Sequence, residues 1–414
     1  MMRAPFMPDS ALTIPSSAGS RTQRVALPDG ERTWTVLGGD HRVVEPAEQY
    51  LEYLRMLGRS PNTVKSYARA LALWWEFLAV YDLAWDAVTV EDLGRFLGWL
   101  RSGDEPELAS IERRAARFSE GTVALRLQAV CSLYRYHHFN GVEAASRLYE
   151  RVFSGRHVYK PMLAHLARGR GYERRVVRVS RPRAATPPTL TPEQVGLILD
   201  ACASWDPVAR EWTGSVRDRL LWALLAESGM RLGEALALKH SDWHTGLGDT
   251  PFVEVVPRED HPHGLRVKNG GYRRIYISDD LDRLYGEYLW QLCDAGADLA
   301  VGDLDWWWVF VNLAREPRFA PLRAETVAWQ VRRLRRRFPE ELPAGFTPHW
   351  LRHTHATALL LSGIAEHVVS RRLGHLDIQT TQNLYGWVSE DAEQRTVAQW
   401  QQLTAGWRTG EPGR

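Results

Sequence analysis

Two residue types are scarce in this chain, cysteine and lysine, and long apolar runs are missing. The three cysteines, Cys131, Cys202 and Cys293, lie far apart and form neither a CxxC pair nor a disulfide framework, so a reducing cytoplasm is the expected compartment. No apolar run approaches the roughly 18 residues of a membrane span. The N-terminus, MMRAPFMPDSALTIPSSAGSRTQR, lacks the continuous apolar core of a signal peptide. The expectation is a cytoplasmic protein with no membrane partner. Of 52 Lys plus Arg, four are Lys: Lys65, Lys160, Lys239 and Lys268. Arginine is therefore the default cation. A formal net charge of +2 does not by itself suggest nucleic acid, and the distribution of charge carries more information.

What is present is a globular composition, 44% hydrophobic and 25% charged, in 414 residues, enough for two domains with tails. Residues 1–43 are rich in Pro, Ser, Gly and Thr and read as a flexible arm, with a short strand at RTWTVL. Residues 44–155 show four helical stretches with short connections, which predicts a small all-α bundle. One of them, SPNTVKSYARALALWWEFLAVY, opens with Ser60 as N-cap and Pro61 in the first turn. Residues 156–188 form an Arg-rich link with seven Arg between positions 168 and 183. It reads either as a solvated linker or as a strap on phosphate, and the uneven charge favours the strap.

A second domain, 189–395, starts at TLTPEQVGLILDAC, where Thr191, Pro192 and Gln194 form a capping box. FVEVVPRE, LRVKN and RRIYIS read as short strands and WWWVFVN as a buried strand. The other long segments read as helices, so the fold class is mainly α with a small antiparallel sheet. A tail, 396–414, closes the chain; Val397, Trp400, Leu403 and Trp407 fall on one helical stripe.

The second domain also carries an unusual polar set: Arg231, Lys268, His349, Arg352, His375 and an isolated Tyr385. These types suit attack on a phosphodiester without a metal. Arg offers a permanent planar clamp for non-bridging oxygens, and the Tyr hydroxyl is a nucleophile once its proton is taken. Lys or His can protonate a poor leaving group. Lys268 stands in an Arg-rich segment of a lysine-poor chain, and Lys, unlike Arg, can release its proton when its surroundings lower its pKa. Chance placement on an exposed hairpin is the competing reading.

The order and spacing of these motifs resemble the tyrosine recombinases, the phage integrase family. Its first Arg lies in GMRLGEAL, with Arg231 and Glu234; its hairpin Lys lies in KNGGYRRIYIS; HWLRH supplies His349, Arg352 and His353; LGHLDIQTTQNLY supplies His375 and Tyr385. SPNTVKSYARAL resembles the family's core-binding domain, and the resemblance runs over roughly residues 44–395. It implies a site-specific recombinase that cleaves and rejoins DNA through a 3′-phosphotyrosyl link. Tyr385 would attack, Arg231 and Arg352 would clamp the phosphate, and Lys268 would protonate the leaving oxygen. His349 and His375 would assist, with Glu234 and His353 in support. No cofactor and no metal are implied. The partners would be duplex DNA with specific sites and a homo-tetramer on paired sites. The segment around Lys268 is longer than in minimal members and similar to transposon-borne ones; Lys239 is the rival position.

Lys65, Arg174, Arg175, Arg178, Arg332 and Arg333 are the candidate DNA-facing cations, a solvated helix being the competing reading for the last two. The tail stripe packs on its own domain or on a neighbouring subunit. Three rivals stand beside the recombinase reading. HWLRHTH offers an i, i+4 His pair, as zinc helices do, but without the Glu of HExxH and amid Arg that repels cations. A type IB topoisomerase shares the nucleophile chemistry. A DNA-binding module without catalysis would need a catalytic residue type to be missing, and none is.

Overall fold

The computed structural model describes residues 19–28, 32–102, 117–142, 149–152, 172–175, 177, 179, 187–265, 267 and 271–375. The chain divides into two compact units, 1–183 and 184–414.

The first unit opens with a hairpin, β1 (Arg21–Ala26) and β2 (Arg32–Leu37), paired antiparallel from Arg21 opposite Leu37 to Ala26 opposite Arg32. The helices are α1 (Glu45–Met56), α2 (Pro61–Val80), α3 (Val90–Ser102) and α4 (Glu120–Phe139). Local chemistry sets their starts. The Ser60 hydroxyl accepts the Thr63 amide at 3.3 Å, with Pro61 in the first turn, where its missing N–H is no loss. Thr89 and Asp92 cap α3 reciprocally. In α1 the buried side chains Ala47, Tyr50, Leu51 and Leu54 recur at helical spacing. The core is aromatic: Trp74, Phe77, Phe96 and Tyr134 are buried, each adding on the order of 1.5–3 kcal/mol by leaving water. Its polar atoms are matched: Trp74 Nε1 donates to Tyr134 Oη at 3.2 Å, and that hydroxyl donates to the Trp85 carbonyl at 2.6 Å.

Two findings differ from the sequence reading here. Residues 32–43 are not a flexible arm: the strand expected at RTWTVL is β2, which packs on α1 and α2 and buries Val36 in the core. An Arg-rich stretch within 156–188 is a strand rather than a plain linker: β3 (Tyr149–Val152) pairs antiparallel with β4 (Tyr172–Arg175), Glu150 opposite Arg174 and Tyr149 opposite Arg175.

The second unit begins with α5 (Pro192–Cys202), whose capping box is the one expected: Thr191 Oγ1 accepts from the Gln194 amide, and Gln194 Oε1 from the Thr191 amide. A hairpin, β5 (Ala203–Asp206) and β6 (Glu211–Gly214), leads into α6 (Val216–Ser228). Gly229, at φ +63°, stops α6, and α7 (Leu232–Leu236) follows. The sheet is β7 (Trp243–His244), β8 (Phe252–Val255) and β9 (Arg273–Tyr276), antiparallel in that order. Then come α8 (Asp279–Asp294), the short α9 (Ala297–Ala300), α10 (Ala324–Arg337), α11 (Pro348–Leu361) and α12 (Glu366–Leu373). The core packs Trp222, Tyr288, Phe310 and Phe346 among the helices.

The sheet holds one strand that was not expected, and one expected strand is absent among the described residues. Its first strand is Trp243–His244, while the strand expected at LRVKN lies largely outside the described residues, which there are Leu265 and Val267. Residues 309–311 of WWWVFVN are buried but form no ladder, only an isolated bridge from Val311 to Pro321, with another from Lys239 to Trp308 beside it. Apolar content made that segment buried without making it a strand, since a strand also needs a partner.

Candidate active site

Arg231 stands at the N-cap of α7, in the short turn after Gly229. Glu234, one turn on, accepts from the Arg231 backbone amide at 2.9 Å and from Arg231 Nη1 at 2.8 Å. Its carboxylate is 2% exposed and takes a second guanidinium: Arg273 Nη2 donates at 2.7 Å. Burial pushes the Glu234 carboxyl up, but the hydrogen bonds and charge of Arg273, with those of Arg231, bring it below its ordinary value, so it is a carboxylate.

α11 starts at Pro348 and places His349, Arg352 and His353 at i, i+3 and i+4, along one face. His349 is exposed, whereas Arg352 is buried. Arg352 Nη1 donates to the Gly229 carbonyl and Nη2 to the Leu373 carbonyl, both at 2.8 Å. One guanidinium thus ties the turn before Arg231 to the turn before His375. His349 and His353 meet edge to face, ring centroids 4.5 Å apart.

Gly374, at φ +68°, ends α12 in a left-handed turn, and the His375 amide bonds back to the Ser370 carbonyl at 3.0 Å. Burial first, then the charges of Arg352, Arg231, Arg273 and His349, hold the His375 imidazole down to about 4. Those charges come from three distant segments, α7, β9 and α11, which converge on the turn that carries His375. Among the described residues of this cluster three guanidiniums stand against one carboxylate, a surplus of positive charge suited to a phosphodiester.

Of the expected catalytic set, Arg231, His349, Arg352 and His375 are therefore brought together, with Glu234 and His353 beside them. Lys268 and Tyr385 lie outside the described residues. The rival lysine, Lys239, is engaged elsewhere: its Nζ donates to Asp260 Oδ2 at 2.6 Å and sits 5.2 Å from the Trp308 ring. Among the expected DNA-facing cations, Lys65 lies over Trp34 at 4.8 Å in the first unit. Arg332 and Arg333 are exposed on α10. Arg174 and Arg175 are in β4, and Arg178 is outside the described residues, as are 376–414, which include the tail stripe.

Sequence reasoning missed Arg273 and Arg372. Arg372 Nε donates to His355 Nε2 at 3.0 Å, and its Nη2 reaches the Glu227 and Tyr276 carbonyls. Arg273 had a signal: in RRIY the burial alternates, with Arg273 and Ile275 inward. An Arg at an inward strand position calls for a buried carboxylate.

Comparison with known proteins decides the family. The phage integrase family model matches residues 188–390, and the model of the phage integrase N-terminal SAM-like domain matches 47–138. Transposase A from transposon Tn554 of Staphylococcus aureus is 30% identical over 362 residues, 86% of this chain and 91% of that protein. The chain belongs to the phage integrase family. It is a tyrosine recombinase, mainly α-helical with small antiparallel sheets. Tyrosine recombinase XerD of Mycobacterium tuberculosis is 29% identical over 337 residues, 80% of this chain and 90% of that one. Two solved structures share the fold. One is XerH recombinase in a post-cleavage complex with palindromic difH substrate: 17% identity, TM-score 0.54, 84% of this chain and 83% of that chain. The other is the Tn1549 transposon integrase with transposon right-end DNA: 15% identity, TM-score 0.54, 85% and 99%. No helix among the described residues of this tyrosine recombinase is long and apolar enough to cross a membrane.

Proposed function

We propose that this tyrosine recombinase moves a mobile DNA element between specific sites, acting in the cytoplasm as a tetramer on paired duplex sites. Tyr385 attacks the scissile phosphorus, forms the 3′-phosphotyrosyl bond and releases the 5′ oxygen, which takes its proton from Lys268. Arg231 and Arg352 hold the non-bridging oxygens, while His349 and His375 hydrogen-bond the phosphate and assist proton transfer. The bond energy stays in the covalent link, so religation needs no nucleotide. The helical unit 44–155, the Arg-rich segment 156–188 and the catalytic unit 189–395 close on duplex DNA, and the tail 396–414 joins subunits.

The observation that carries this reading is Arg352. Its two bonds, to the Gly229 and Leu373 carbonyls, join the segments bearing Arg231 and His375 in one arrangement. Such preorganised donors lower a barrier because they need no reorganisation as charge develops. The likeness to Transposase A from transposon Tn554 supports the mobile-element assignment.

The test is a suicide half-site from the DNA flanking the gene. The parent protein should form a covalent adduct in excess chelator, and Tyr385→Phe should bind the same DNA and form none. An unchanged adduct with Tyr385→Phe, or complete loss in chelator restored by Zn²⁺ or Mg²⁺, overturns the proposal. Rapid relaxation of supercoiled DNA lacking target sites would point to a topoisomerase instead.

A further inference from the structure

We infer that Arg273 is a positioning residue for the phosphate clamp, holding Arg231 in place through Glu234 and bracing the turn that carries His375. The inference rests on the clamp assignment above.

Arg273 opens β9, where pairing with Val255 of β8 fixes its backbone. Its guanidinium is buried and reaches two other elements. Toward α7, Nη2 and Nη1 donate to the Glu234 carboxylate at 2.7 and 3.4 Å. The same carboxylate holds Arg231 by side chain and by backbone. Toward α12, Nε donates to the Arg372 carbonyl at 2.9 Å. The fit to the next turn is close: a Cβ at Gly374 would lie 2.8 Å from Arg273 Nη1 and 3.0 Å from Cζ. Glycine at 374 thus serves twice, by its left-handed φ of +68° and by letting the guanidinium lie flush against the chain just before His375.

The chemistry explains why the residue is arginine. Its planar fork presents several N–H groups at fixed angles, so one side chain can bond a carboxylate and a carbonyl on different elements. An ammonium concentrates its donors on one nitrogen. Without Arg273, Glu234 keeps only Arg231, and the pair loses its direct tie to the turn at Gly374, leaving the more distant link that Arg352 makes between the Gly229 and Leu373 carbonyls. The direct donors survive but lose their fixed aim, and misplacement by about 1 Å can cost roughly 100-fold in rate.

The experiment compares adduct formation by the full-length protein on two half-sites, one with the normal scissile phosphodiester and one with a neutral methylphosphonate there. Replacing a non-bridging oxygen with methyl removes the charge the clamp stabilises. Arg273→Met should bind the normal half-site within about threefold of the parent. Its cleavage of the diester should be slower by roughly 10- to 100-fold, less than the roughly 10²–10³-fold for losing a direct donor. On the methylphosphonate its rate should come within about threefold of the parent's. A merely structural defect would slow both substrates alike. Arg231→Ala is the reference. If it gains nothing on the methylphosphonate, the clamp reading itself fails. If it recovers and Arg273→Met does not, the positioning role is overturned. Gly374→Ala approaches the same guanidinium from the other side and should give the same pattern. Arg273→Lys keeps the charge, should lie between parent and Arg273→Met, and serves where the larger changes prevent folding; equal slowing of both substrates by Arg273→Lys also overturns the role.

Discussion

Arg372 donates through Nε to His355 Nε2 at 3.0 Å, so that imidazole nitrogen is an acceptor and the ring is neutral. Burial first, then the Arg372 charge, hold His355 down to about 4. Burial, with neighbouring charge, does the same for His353 and His375, each to about 4. Around the arginine cluster, burial and neighbouring charge hold three imidazoles toward the uncharged form.

Stability should therefore depend on pH in a defined direction. Each of these rings has an ordinary value of 6.5, which the unfolded chain would show, and a folded value near 4. Between those values the unfolded state binds more protons, so stability rises with pH. The contribution is complete above about 6.5 and is lost as pH falls toward 4. The melting temperature should be level from pH 8 to 7 and drop between pH 6.5 and 5, before most carboxylates titrate. His355→Gln, which still offers Arg372 an acceptor, should flatten part of that drop. A level melting temperature down to pH 5 would show that the rings are not held neutral.

Gly229 is the second place to test the architecture. It ends α6 at φ +63°, and a Cβ there would lie 2.7 Å from His355 Cδ2 and 2.9 Å from Leu373 Cδ2. Its carbonyl accepts Arg352 Nη1. Gly229→Ala combines left-handed strain with overpacking, each about 1–3 kcal/mol. Denaturant unfolding should show that loss, and adduct formation should fall with it because Arg352 loses its seat. Unchanged stability would mean the turn relaxes freely.

How much of this was legible in the sequence depends on the range of the signal. Ser60 with Pro61, and Thr191 with Gln194, announced their helices because a cap is made within four residues. HWLRH was legible because i, i+3 and i+4 share a helix face whatever the tertiary fold. Arg273 was hidden because its partner Glu234 is 39 residues away and arginine is abundant in this chain. The Arg231–Glu234 pair, at i, i+3, was visible; the second guanidinium on the same carboxylate was not. The strand expected at WWWVFVN failed for a related reason. Val309, Phe310 and Val311 are buried in the core, so the apolar signal was real, but burial does not specify a ladder partner.

Two lysines compete on paper for the proton donor's role, and one of them, Lys239, is among the described residues. Lys239 is buried, bonded to Asp260 and set against Trp308, which fits an anchor for the long segment between β8 and β9. Arg258, forked onto Asp242, pins the same stretch. Lys268 follows in that segment. Lys268→Ala should slow cleavage by roughly 10²–10⁴-fold, the usual contribution of a general acid. A substrate whose leaving oxygen is replaced by sulfur needs no proton donor and should restore the rate. Lys239→Met should show no such sulfur rescue. Rescue of Lys239→Met but not of Lys268→Ala would reverse the two roles.

The last prediction concerns α10. Its buried side chains, Val327, Gln330, Val331 and Leu334, hold one face on the core. Arg335 is half-buried and donates to the Phe346 carbonyl, so it works within the fold. Arg332, Arg333, Arg336 and Arg337 face outward, and Glu325 in the first turn is the helix's lone acid. Arg333 lies over the exposed Trp329 ring at 5.4 Å, which steadies one guanidinium without neutralising it. A basic face with no ion pair among the described residues should, on a tyrosine recombinase, lie along the DNA backbone. If Arg332 and Arg333 each contact a phosphate, replacing both with Gln should lower the slope of log K against log salt by about 2. The weakening should be nearly equal for target and unrelated duplexes, since phosphate contacts carry no sequence information. Titrations at 50 to 300 mM salt with both duplexes would measure it. An unchanged slope would leave α10 a solvated helix, and a loss confined to the target duplex would mean that it reads base edges.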